Sequence, residues 1–138
     1  RRDFSNSLRA TGLTKLNQDI VVPRSRLVDL VELGEALQKR HGFPVACFGH
    51  AGDGNIHVNI MAANYDDPAV QKKVEHALDE LFQQVLTWGG VITGEHGIGL
   101  AKRRWWPGAT SDVAREAHRA IKDALDPAGI LNPGKFLD

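Results

Sequence analysis

Asn55-Ile56-His57-Val58-Asn59-Ile60-Met61 alternates in side-chain character and follows directly on Gly52-Asp53-Gly54. A period of two sends successive side chains to opposite faces of a strand. Ile56, Val58 and Ile60 are therefore expected against a core, and His57, Asn59 and Met61 on the other face. The glycines flanking Asp53 offer positive φ cheaply, which predicts a hairpin back to an incoming strand over 44–49. His50 then stands at the end of that strand, close to His57. Two imidazoles beside one glycine turn are the arrangement around which the remaining segments must be placed.

The 138 residues are enough for one domain with a core that needs no staples. Lys plus Arg and Asp plus Glu are 17 each, so no net field favours nucleic acid or an acidic partner. The single cysteine, Cys47, lies in an apolar run and cannot form an internal disulfide, which fits a reducing compartment. No apolar run approaches the ~20 residues of a membrane span, and the basic start lacks the apolar segment of a signal peptide. The chain opens on arginine, inside what reads as a helix, so a fragment of something longer is expected.

Residues 1–10 read as the end of a helix, with Phe4 and Leu8 four apart and Gly12 beyond. Asp19-Ile20-Val21-Val22 reads as a short strand ended by Pro23. Ser25 is the expected N-cap of a helix whose apolar face is Leu27, Leu30, Val31, Leu33 and Leu37, stopped at Gly42. After the hairpin, Asp66-Asp67-Pro68 starts a second helix with Val70, Val74, Ala77, Leu78, Leu81, Phe82 and Val85 on a buried stripe. Val91-Ile92-Thr93 follows as a short strand.

The order is β-α-β-β-α-β. It predicts an α+β fold: a ferredoxin-like βαββαβ antiparallel sheet with helices on one face, plus C-terminal helices, in one domain over 1–138. Those helices are a basic stretch around Lys102-Arg103-Arg104-Trp105-Trp106 and one from about Ser111 to Leu125, with Val113, Ala117, Ala120, Ile121 and Ala124 on one side.

The sheet face that the helices do not need carries His57 and Asn59. His50, His57 and Glu95 supply two imidazoles and a carboxylate, a donor set that suits a divalent ion such as zinc, iron or manganese. The spacing is no stock zinc signature, and two hydrogen-bonded surface histidines account for it equally. His96, among glycines, is placed to be a general base beside a metal; a loop histidine bonded to a carbonyl is the plainer account. His41 is expected at a helix C-terminus, and His76 and His118 on helix surfaces. Cys47 reads as a small core residue, and Lys102-Arg103-Arg104 as a solvated face. Neither Gly94-x-x-Gly97-x-Gly99 nor Gly52-x-Gly54 has the context of a dinucleotide loop.

Four motifs together resemble the C-terminal domain of FAD-linked oxidases. They are Asp19-Ile-Val-Val-Pro-Arg-Ser-Arg-Leu27, Gly49-His-Ala-Gly-Asp-Gly-Asn-Ile-His-Val-Asn59, Gly94-Glu-His-Gly-Ile-Gly99 and Asp126-Pro-Ala-Gly-Ile-Leu-Asn-Pro-Gly-Lys135. Within that family the sequence is most similar to the D-2-hydroxyacid dehydrogenase group: glycolate oxidase flavin subunit, D-lactate dehydrogenase and D-2-hydroxyglutarate dehydrogenase. The resemblance covers essentially the whole chain.

It implies a substrate- and metal-binding domain that caps a separate N-terminal FAD-binding domain of the vanillyl-alcohol oxidase type. It implies His50, His57 and Glu95 as ligands of a divalent metal and His96 as the catalytic base. Asn59, Arg1 and Ser5 fall on substrate-binding positions, with Lys15 near a further one, and Asn132 on the segment that reaches the flavin. The implied activity is oxidation of a D-2-hydroxyacid to the 2-oxoacid, with the isolated domain inactive and prone to self-associate. The implied location is cytoplasmic, or peripheral at the inner face of a membrane through redox partners. The alternatives are a free-standing metal- or anion-binding module without redox activity, and a metal-dependent hydrolase with His96 as base.

Overall fold

A computed structural model describes residues 6–8, 10–135 and 137. They cluster into two compact units divided between Glu95 and His96.

The first unit contains β1 (Thr14–Val21), α1 (Leu27–His41), β2 (Val45–His50), β3 (Asn55–Ala62) and α2 (Pro68–Thr87). The three strands form an antiparallel sheet in the order β1-β3-β2. β3 is the centre: Asp19 and Phe48 both stand opposite His57, and Asn17 and Ala46 both stand opposite Asn59. Splitting β1 and β2 around β3 is the arrangement that the β-α-β-β-α-β order predicts.

The predicted fourth strand is reduced to one bridge, with Val91 paired antiparallel to Val21 on the outer side of β1. The ladder stops there for a reason. The N–H groups of Gly94 and Glu95 donate to the Asp19 carboxylate, at 2.8 and 2.6 Å, so the chain leaves the sheet edge to reach that side chain.

The core lies between sheet and helices. Ile20, Val58, Ile60, Leu30, Val74, Leu81 and Val85 have no exposed surface. Gly34 lets α1 approach β2, since a Cβ there would stand 3.2 Å from Cys47 Sγ. The two helices are tied at the surface by Glu80, which meets His41 Nε2 at 2.8 Å and Arg40 at 2.7 Å. His41 therefore pairs with a side chain on α2, where the sequence suggested an interaction with its own helix end.

Three local expectations change. β1 begins at Thr14 rather than Asp19, because Leu16, Gln18 and Ile20 alternate on the core face although Lys15, Asn17 and Gln18 hide the apolar pattern. Ser25 caps nothing: a 3-10 turn at Arg24–Arg26 leads into α1 with no side-chain cap. β3 is buried on both faces, including Asn59 at 0% and Met61 at 2% exposure, as a central strand is. Asp67 does cap α2, accepting from Ala69 N at 2.8 Å, with Pro68 in the first turn.

The second unit holds a short helix, α3 (Trp106–Ala109), and α4 (Asp112–Leu125). Ser111 caps α4 by accepting from Ala114 N at 3.2 Å. No residue of α4 is buried; Val113, Ile121 and Leu125 are 76%, 61% and 77% exposed. Lys102 is buried rather than solvated, and Arg104 lies over the Trp105 ring, 5.1 Å from its centroid. Among the described residues no helix is long and apolar enough to cross a membrane.

Candidate functional site

β2 and β3 turn through Ala51–Gly54, closed by Asp53 N–H to His50 O at 3.0 Å. Gly54 takes φ +72°, and its carbonyl accepts the Val22 N–H at 3.0 Å. A Cβ at Gly54 would overlap the Val22 carbonyl, so glycine is required where the hairpin locks onto the end of β1.

His50 ends β2 and His57 sits two residues into β3, on the sheet face shared with Lys15, Asn17, Asp19, Phe48 and Asn59. Glu95 reaches the same place from the loop beyond Val91. One donor atom from each of His50, His57 and Glu95 lies within 4.8 Å of the others. His50 Nε2 is 3.6 Å from Glu95 Oε1; the Glu95 side chain is 57% exposed, the two imidazoles 31% and 13%. The ring of His57 tilts against Phe48, centroids 5.7 Å apart.

These donors fit a divalent cation. Zinc bonds imidazole nitrogen at ~2.0–2.1 Å and carboxylate oxygen at ~2.0–2.2 Å, so three donors sharing one ion stand roughly 3.3–3.6 Å from one another. The His50 Nε2–Glu95 Oε1 separation of 3.6 Å already matches that spacing.

Asn59 stands beside this cluster, its Nδ2 donating to Ala46 O at 3.2 Å and His57 O at 3.1 Å. Its Oδ1 is buried and accepts no hydrogen bond from a described residue. Lys15 is half-buried on the same face, with Nζ 5.8 Å from the Phe48 ring centroid. Arg1 and Ser5 lie outside the described residues.

His96 is the residue after Glu95 and opens the second unit, exposed. Asn132 also belongs to that unit, at φ +49°. It lines a cavity of about 800 Å³ with Leu100, His118, Ile121, Leu125 and Leu131 among others.

Asp19 and Asn55 stand next to this cluster, and the sequence does not single them out. Both are buried, and Asn55 Nδ2 donates to Asp19 Oδ1 at 2.7 Å. An aspartate inside a β-branched run was the available signal, since strands disfavour it and interiors demand that it be partnered.

Comparison with known proteins places the chain in a family. The model of the family "FAD linked oxidases, C-terminal domain" matches residues 1–136. The chain belongs to the FAD-linked oxidase C-terminal domain family.

This FAD-linked oxidase C-terminal domain is 35% identical over 138 residues to "Glycolate oxidase subunit GlcD" of Bacillus subtilis, covering 99% of the chain and 29% of that relative. It is 33% identical over 118 residues to "D-lactate dehydrogenase" of Anaerostipes hadrus, covering 86% of the chain and 25% of the relative. It is also 33% identical over 126 residues to "D-2-hydroxyglutarate dehydrogenase" of Stutzerimonas stutzeri, covering 89% and 27%. The domain thus spans under a third of the length of these relatives.

Proposed function

We propose that this domain binds the substrate and a divalent metal in an FAD-dependent oxidoreductase that converts a D-2-hydroxyacid to the 2-oxoacid. The observation that carries the reading is the convergence of His50, His57 and Glu95 within 4.8 Å, in a family whose members above are named for glycolate, D-lactate and D-2-hydroxyglutarate. Family membership favours this over a hydrolase or a module without redox activity.

His50, His57 and Glu95 would hold zinc, iron or manganese, and FAD would be held mainly by an N-terminal domain of the full-length protein. Loaded, the site would join the Lewis acidity of the ion at the substrate hydroxyl to the capacity of the flavin to take a hydride from the α-carbon. The chain's own residues bind and orient. Arg1 and Ser5 would hold the substrate carboxylate, and Lys15 adds a positive charge on the same sheet face. Asn59 Oδ1 would accept a hydrogen bond from the substrate. An imidazole nitrogen of His96 would take the hydroxyl proton. Asn132 would face the flavin.

The exposed apolar side of α4 supports burial against another domain, or self-association when the domain is isolated. The full-length protein would act in the cytoplasm, or at the inner face of a membrane through its redox partners.

Elemental analysis of the protein beside His57→Ala tests the site: one zinc, iron or manganese per chain is expected, lost in the variant. Reduction of the flavin by a D-2-hydroxyacid in the full-length protein tests the activity. A full-length protein that takes up no metal and shows no flavin reduction with glycolate, D-lactate or D-2-hydroxyglutarate would overturn the reading.

A further inference from the structure

Asp19 is an aspartate with no exposed surface in the interior of β1. Burying a carboxylate is costly unless it is hydrogen-bonded. Its Oδ2 accepts the N–H groups of Gly94 and Glu95 at 2.8 and 2.6 Å, and its Oδ1 accepts Asn55 Nδ2 at 2.7 Å. One side chain thereby joins β1, the first residue of β3 after the glycine turn, and the loop from which Glu95 projects. Asp19 Oδ1 also stands 3.9 Å from His57 Nδ1.

We propose that Asp19 is the positioning residue of the His50–His57–Glu95 site: it fixes the backbone that carries Glu95 and orients His57 so that Nε2 is the nitrogen offered to a divalent cation. The inference rests on the reading of those three residues as ligands.

Two observations support it beyond the hydrogen bonds. At 3.9 Å the carboxylate is too far from Nδ1 for a hydrogen bond, so it acts on the ring through its field. A negative charge on that side favours the tautomer with the proton on Nδ1 and leaves the Nε2 lone pair for a metal, the same bias that a hydrogen-bonded carboxylate gives a ligating histidine, exerted here at longer range. The second observation is Gly94. A Cβ there would overlap the Asn55 amide and come within 2.9 Å of Asp19 Oδ1, so the carboxylate is enclosed by a cradle that fits glycine alone. A carboxylate serving the sheet alone would not need to hold the two N–H groups at the root of a ligand side chain.

Long-range ¹⁵N–¹H correlation of the histidine rings in the metal-free wild-type chain is the first test, and it needs neither metal nor variant. A neutral His57 protonated on Nδ1 is expected; protonation on Nε2 overturns the inference. The second test is titration with zinc alone of wild type, Asp19→Asn and His57→Ala, with circular dichroism on the same samples. Asp19→Asn is expected to keep the wild-type spectrum and bind zinc roughly 10–100-fold more weakly. Equal zinc affinity in a folded Asp19→Asn overturns the positioning role and leaves the ligand set standing. Zinc binding that His57→Ala does not change, or none in wild type, removes the ligand set and this inference with it. If Asp19→Asn does not fold, the tautomer of His57 in the wild type decides.

Discussion

Nε2 of His50 lies 3.6 Å from Oε1 of Glu95, although one side chain closes a strand in the sheet and the other projects from a loop beyond its edge. Neither is part of the hydrophobic core, which is closed by Ile20, Val58, Ile60 and Leu81. A chelator is therefore expected to lower the melting temperature without unfolding the chain. An ion at a hundredfold over its Kd contributes about 2.7 kcal/mol by mass action, a shift of several degrees. Loss of the far-UV circular dichroism on chelation at 25 °C would mean that the core does not stand alone.

The two glycines of the hairpin turn should respond differently to alanine. Gly54 has φ +72° and no room beside the Val22 carbonyl, whereas a Cβ at Gly52 meets nothing within 4 Å. Gly54→Ala is expected to cost at least about 2 kcal/mol in denaturant unfolding. Gly52→Ala should stay within about 0.5 kcal/mol. Similar losses for both would contradict the lock between turn and β1.

Burial pushes the Cys47 thiol up to about 11. Because the raised value belongs to the folded state, the stability it reflects is complete below the unfolded thiol pKa and is lost as pH rises through about 11. The native protein should hold a neutral, poorly reactive thiol. Iodoacetamide at pH 8 is expected to modify it at least roughly tenfold more slowly than in the unfolded chain. Equal rates in native and denatured protein would exclude this.

Asp126 is held below the usual carboxylate range by Lys122 first, and then by the Leu131 and Ile130 N–H groups. The two backbone contacts are 2.9 and 3.1 Å. A depressed folded-state pKa gives stability that is present above the unfolded value of ~3.9 and lost as pH falls through the folded one. The amide resonances of Ile130 and Leu131 should therefore titrate with a midpoint below the ordinary aspartate range, and Asp126→Asn should abolish the transition. A midpoint at or above about 4 would contradict the contact.

The hairpin was legible because Ile56, Val58 and Ile60 alternate with polar residues and a glycine turn precedes them. The clustering of His50 with His57 followed from that register. The first half of β1 was hidden because its solvent-side and core-side residues are both polar around Asn17 and Gln18. Asp19 was invisible as a site residue because what it binds, the backbone of Gly94 and Glu95, is far along the chain and carries no side-chain signal. In α4 periodicity tells which side is apolar and not whether anything covers it, and no residue of the helix is buried. Local composition around Val91 predicts a strand, and one bridge is what remains once Gly94 and Glu95 turn to Asp19.

The strand order β1-β3-β2 sets when this unit can fold. β2 and β3 are neighbours in sequence and can zip from their turn. β1 is made first and has no hydrogen-bonding partner until β3 exists, so a large loop must close before its pairing is rewarded. On a ribosome, Ile20 and the carboxylate of Asp19 would wait through the synthesis of α1 and the whole hairpin. The carboxylate waits longer still, until residues 94 and 95 emerge. β1 should therefore be the last of these three strands protected in pulsed hydrogen exchange during refolding, although it is the first of the three to leave the ribosome.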